Sequence, residues 1–244
     1  MTASYTADKK QGFIVFMKNN PQGNVLKEIY RLYDTRIEAA DIACRKYCSA
    51  CCTTHVTMTR LEGLLILESA SENRVADVVQ RVSHHDWPRY QPGLSTNAYV
   101  ERCRTNTNGD TNGPPDDDYP TEIAGICPFL ENNACSIYPA RPFGCRCMIS
   151  TQKCDQTGCA EIDDVTLTIN TVFLQFIEHL DPNGVFGNMT DVLCHLFFTG
   201  GSGGPDNCRV VSNRPIPALM VPPNHRDKLT GIVNDLHRLI TGDA

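Results

Sequence analysis

No stretch of this chain stays apolar for long. The run Leu64-Leu65-Ile66-Leu67 stops far short of the ~20 residues that cross a bilayer, so no membrane span is expected. Phe13-Ile14-Val15-Phe16-Met17, behind Lys9 and Lys10, is shorter than the ~7–15 residues of a signal-peptide core. No small-residue cleavage site follows it, so the chain reads as unexported and cytoplasmic. Basic residues form no stripe, and the formal net charge is −6, which argues against a phosphate-neutralising nucleic-acid surface. The chain has no P-loop or GxGxxG context, and Gly200 to Gly204 lack the strand and helix that a phosphate cradle needs. No internal repeat is found, and few segments read as strands.

What remains is an ordinary globular composition, 41% hydrophobic and 20% charged, which excludes a disordered chain. At 244 residues the length suits one large domain, or one domain with an appendage. Val25, Leu26, Ile29, Leu32, Ile37 and Ala40 predict a helix over 24–43 that leads into a cysteine group. Thr59-x-x-Glu62 ahead of Leu64, Leu65 and Leu67 is the capping-box pattern for a second helix. Further amphipathic helices are expected over 74–82, 164–180, 190–198 and 225–240, and 104–120 reads as a long polar loop. The acidic run Asp116-Asp117-Asp118 lacks calcium-loop spacing. Thr199 to Pro205 reads as a flexible joint, and His84-His85 as a cationic helix end. The fold expected is mainly α, with an irregular cysteine-rich metal-binding core and loop-rich segments packed among amphipathic helices. Three parts are expected: an N-terminal helical segment 1–43, a cysteine-rich domain 44–160 and a C-terminal helical segment 161–244.

The abundant residue is cysteine, at thirteen. An odd number in an unexported chain argues against full disulfide pairing and for metal. One group is Cys44-x3-Cys48-x2-Cys51-Cys52, and another is Cys127-x7-Cys135-x9-Cys145 with Cys147, Cys154 and Cys159 behind it. Soft thiolates select zinc, copper(I) or iron–sulfur. The bland alternative is a buried helix face, because steps of four, three and one would align Cys44, Cys48, Cys51 and Cys52 on a helix. Four cysteines on such a face with no Leu or Ile among them, and a second enriched group downstream, favour metal. Cys103, Cys194 and Cys208 stand alone, and Cys194 reads as core. His55, just past Cys52, is a weaker ligand candidate.

The strings Cys44…Cys48-Ser-Ala-Cys51-Cys52, Val56-Thr-Met-Thr-Arg-Leu-Glu62, Cys127-Pro-Phe-Leu130, Cys135-Ser-Ile-Tyr-Pro-Ala-Arg-Pro142 and Cys145-Arg146 resemble the CxxCxxCC family, a zinc- or iron-chelating domain. The resemblance implies Cys44, Cys48, Cys51, Cys52, Cys127, Cys135 and Cys145 as ligands, with Cys159 the better downstream match and Cys154 close behind. The three-residue gap after Cys44 and the extra Cys147 and Cys154 depart from the pattern and leave the ligand count open. Seven or eight cysteines exceed one four-ligand zinc site. Adjacent Cys51 and Cys52 suit a broader cluster or two neighbouring centres, so iron–sulfur, of 4Fe-4S type, is favoured over zinc. Arg141 and Arg146 could offset thiolate charge and donate to sulfur, with Tyr138 beside them. Glu62 is expected to serve the capping box. An electron-transfer, redox-sensing or metal-delivery role with a protein partner follows. The alternatives are a zinc-stabilised interaction domain and, from a distant likeness to flagellin lysine methylases, an S-adenosylmethionine-dependent methyltransferase.

Overall fold

A computed structural model describes residues 20–38, 41–45, 47–70, 88–105, 124–198 and 208–242. The helix expected at 74–82, His84-His85, most of the loop at 104–120 with its acidic run, and the joint at 199–205 lie outside the described residues. The fold is mainly helical, as its periodicity predicts.

Helix α1, Pro21–Glu38, buries Leu26, Ile29, Tyr30 and Tyr33, the three- and four-residue steps of one helical face. It stops short of the predicted 43. Residues 41–45 lack regular structure, and the Ala43 N–H donates across the fold to the Ser150 carbonyl at 2.8 Å. Strand β1, Thr57–Thr59, leads into α2, Arg60–Ser69, where the full capping box forms around Thr59 and Glu62. Helix α3, Thr96–Thr105, is capped from outside its own segment: Glu178 accepts from the Asn97 N–H at 3.0 Å and the Ser95 hydroxyl at 2.5 Å.

Strands β2, Leu130–Glu131, and β3, Ala134–Cys135, form a hairpin. Its two-residue turn, Asn132-Asn133, has φ of 50° and 60°, the left-handed geometry that such tight turns need and that Asn tolerates. A 3-10 turn at Tyr138–Ala140 and the single-turn helices α4, Phe143–Arg146, and α5, Cys154–Thr157, complete the cysteine-rich region. Helix α6, Asp164–His179, begins on an Asp163 cap that accepts from the N–H groups of Val165 and Thr166. Strand β4, Val185–Asn188, helix α7, Met189–Phe198, strand β5, Val210–Ser212, and helix α8, Arg226–Thr241, follow. The strands β1, β4 and β5 make an antiparallel sheet in the order β1-β4-β5 that the sequence reading did not place.

One apolar core joins all three predicted segments, with Leu26 and Ile29, Phe129 and Phe143, and Phe173, Phe176 and Leu236 in it. Beneath the cysteines lie three rings from α1, α4 and α6. Tyr33 meets Phe143 and Phe173 edge-on at 4.7 and 5.1 Å, and Phe143 stacks on Phe173 at 5.6 Å. Cys194 is core, as expected, but is also joined to Cys208. Pairing of β5 with β4 brings their Cα atoms to 6.1 Å, which sequence distance could not reveal.

Candidate metal centre

The two cysteine groups meet through the main chain. The Cys127 N–H donates to the Cys52 carbonyl at 3.0 Å, and the Thr54 N–H donates to the Gly125 carbonyl at 2.9 Å. Thr53 and Ile126 form an antiparallel bridge between them. The Ser49 hydroxyl reaches Asn133 in the turn that carries Cys135, at 3.3 Å. Cys44, Cys48, Cys51 and Cys52 are not on a helix, so an aligned buried face is ruled out.

Glu62 fastens this region to the core. It is buried and accepts from the Tyr30 hydroxyl at 2.7 Å, the Thr59 N–H at 2.7 Å and the Phe143 N–H at 2.6 Å. Phe143 opens α4, the turn that bears Cys145. The capping residue read from the sequence therefore also sets the height of the second cysteine group. The cradle is tight: a Cβ on Gly144 would sit 2.7 Å from the Thr57 carbonyl oxygen.

Charge effects show which sulfurs lie near one another. Cys44 feels Cys48, Cys51 and Cys154. Cys52 feels Cys127, Cys135 and Cys145, Cys145 feels Cys127, Cys135 and Cys51, and Cys127 also feels Cys51. The Cys51 thiol is hydrogen-bonded to Cys52, which holds Cys51 up and Cys52 below the ordinary thiol value. Burial pushes the Cys127 thiol up to about 11 and Cys147 up to about 12. Cys127 is buried in the core, and Cys52, Cys135, Cys145 and Cys147 pack against it, whereas Cys48 and Cys159 are exposed. Among the described residues, no three or more His, Cys, Asp or Glu side chains already form an ion cage. Closing one would take side-chain rotations between staggered positions.

The remaining candidates separate clearly. Arg146 is buried and spends its donors on protein oxygens: Arg141 O at 3.1 Å, Asp34 Oδ2 at 2.6 Å and Pro139 O at 2.6 Å. Its guanidinium also lies 4.1 Å over the Tyr30 ring. Arg141 lies 4.1 Å over the ring of Tyr138, and its buried Nε has no hydrogen-bond partner. His55 accepts the Tyr90 N–H on Nδ1 at 3.0 Å. Cys103 is exposed beside Tyr99.

The donor set fits a soft metal: thiols from two remote segments at one place, with an orphaned buried N–H beside them. A helical domain with irregular cysteine-bearing loops folded onto its core is a metal-chelating class of protein. Residues 43–170 match the family model CxxCxxCC, described as "Putative zinc- or iron-chelating domain", and the chain belongs to that family. No curated protein and no solved structure matches the chain. Metal chelation is thus the property that family and donor set share. No helix among the described residues is long and apolar enough to cross a membrane.

Proposed function

We propose that the chain holds iron through cysteine thiolates, as iron–sulfur of the 4Fe-4S type, in a cytoplasmic electron-transfer, redox-sensing or metal-delivery role. The observation that carries it is the meeting of two cysteine stretches 75 residues apart at the Cys52–Cys127 backbone bond. Around that bond we assign the sulfurs to two sets, an outer one of Cys44, Cys48, Cys51 and Cys154 and an inner one of Cys52, Cys127, Cys135 and Cys145, with Cys51 coupled to both. Cys159 is exposed, as Cys48 is, and stays a candidate ligand beside Cys154. Cys147 stands beside the inner group, its thiol directed to the Gly144 carbonyl at 3.6 Å.

Two four-thiolate groups exceed the needs of one structural zinc, which closes with four ligands. When bound, an iron–sulfur centre supplies one-electron exchange, with a potential set by charge, hydrogen bonds to sulfur and exposure. The chain's part is to present thiolates, exclude water from the inner group and leave the outer group near the surface. Tyr47, Ile126, Tyr138 and Met148 are large apolar side chains exposed next to or within a few residues of these cysteines. Such residues are enriched where proteins dock, which supports a protein partner at this face.

Zinc has one argument in its favour, because four of these thiols are enough ligands for a structural tetrahedral site. Oxygen-free purification followed by iron, zinc and acid-labile sulfide analysis decides between the metals. Iron with matching sulfide, and visible absorption that bleaches on reduction, is the expected result. Stoichiometric zinc without sulfide overturns the iron–sulfur assignment.

A further inference from the structure

We infer that Arg141 is a positioning residue of the metal centre, its Nε–H donating to a sulfur of the loaded site. This rests on the metal reading above and deepens it. A guanidinium carries five N–H donors in a rigid fork, and a buried donor left unmade is costly. Arg146, five residues on, has protein oxygens for Nε, Nη1 and Nη2. Arg141 differs in that its Nε is buried without an acceptor. A native fold tolerates such an atom where a ligand completes it.

The surroundings name the acceptor. Arg141 sits between Cys135 and Cys145 in the chain, directly ahead of the turn that carries Cys145. Burial raises the thiols of Cys135, Cys145 and Cys147, and the Arg141 charge pulls each of them back. It pulls in the same direction on Cys51, whose largest influence is its hydrogen bond with Cys52. The Arg141 charge therefore acts on sulfurs of both stretches. Tyr138, with its ring 4.1 Å from the Arg141 Cζ, holds the guanidinium by a cation–π contact. Metal-bound thiolate, or the inorganic sulfide of a cluster, is the soft anionic acceptor that such a donor meets. A donor to coordinated sulfur also steadies its negative charge, as partners of metal ligands generally do.

The test uses cobalt(II) alone as the probe, added without oxygen to the reduced full-length protein. The readouts are the thiolate-to-cobalt charge-transfer band, cobalt affinity and the melting temperature of metal-free protein. Because Nε has no protein partner, R141Q should melt with wild type when metal-free. When loaded, it should lose roughly tenfold or more in cobalt affinity. Its charge-transfer band should move to longer wavelength, because sulfur lone pairs rise in energy without the donor. R141K keeps the charge and loses the fork, so its affinity should recover in part while the band stays displaced. R146K should melt lower and leave the band where wild type has it. A band that does not move in R141Q or R141K overturns the assignment, as does a metal-free R141Q that melts well below wild type. In both cases cobalt uptake by wild type leaves the metal reading standing. A wild type that takes up neither cobalt nor iron sinks both.

Discussion

Glu62 concentrates more structural consequence than any other single side chain near the cysteines. Its carboxylate joins the start of α2, the start of α4 and Tyr30 of α1. Burial raises its pKa, and the backbone donors of Thr59 and Phe143 pull it back. Removing it strands four buried donors, the Thr59 hydroxyl among them, so E62A should lose about 3 kcal/mol or more in urea unfolding. It should also weaken cobalt uptake, because α4 is released. Gly144 gives a sharper local test. A methyl group there meets main chain rather than a movable side chain, so G144A should cost about 1–3 kcal/mol. Cobalt titration should show Cys145 displaced as a fall in affinity. The capping role of Glu62 was legible because Thr59 and Glu62 are three residues apart and the signature is local. Its bond to Phe143 spans 81 residues, and no local pattern announces such a contact. The same holds for the two arginines, which look alike in sequence and differ only in what surrounds their donors.

Among the elements, helices were read well because an amphipathic period persists over many residues. Helix α6 was expected over 164–180 and runs Asp164–His179, and α8 was expected over 225–240 and runs Arg226–Thr241. The strands have two to four residues each, too few for an alternation to register, and they exist through pairing with remote partners. The predicted extension of α1 failed because a tertiary hydrogen bond at Ala43 outcompeted local propensity. Three predictions belong here. The bridge between α7 and β5 closes a loop of sequence separation 14, so C208S should cost about 2–3 kcal/mol. Metal-stripped protein unfolded without reductant should titrate eleven free thiols, not thirteen. At the end of α6, His179 accepts the Ile216 N–H on Nδ1 at 3.1 Å, and burial, then the charge of His237, lowers its pKa. A lowered histidine pKa leaves full stability above the unfolded value of about 6.5. That stability is lost as pH falls from there toward the folded value. The melting temperature should therefore drop on acidification from pH 7 to 5, and H179Q should flatten part of that drop.

For the molecule as a whole, a continuous apolar core carries the fold and the cysteine stretches lie along its edge. Chelation should therefore leave most of the far-ultraviolet helical signal in place. Limited proteolysis should instead become faster within 41–54 and 124–160. Loss of all helical signal on chelation would mean that metal, not the core, holds the chain together. The family was legible from the crowding and motif of the cysteines. The approach of Cys154 to Cys44 was not, because it depends on the remote Ala43–Ser150 bond and the turns that follow it. Amide-to-carbonyl links such as Cys52 to Cys127 and Ala43 to Ser150 depend on no side chain. A frame closed in that way is indifferent to the atoms hung from it. Exchange of one thiol for an imidazole or carboxylate can then retune metal preference without rebuilding the scaffold, and such exchanges give drift between zinc and iron a short mutational route.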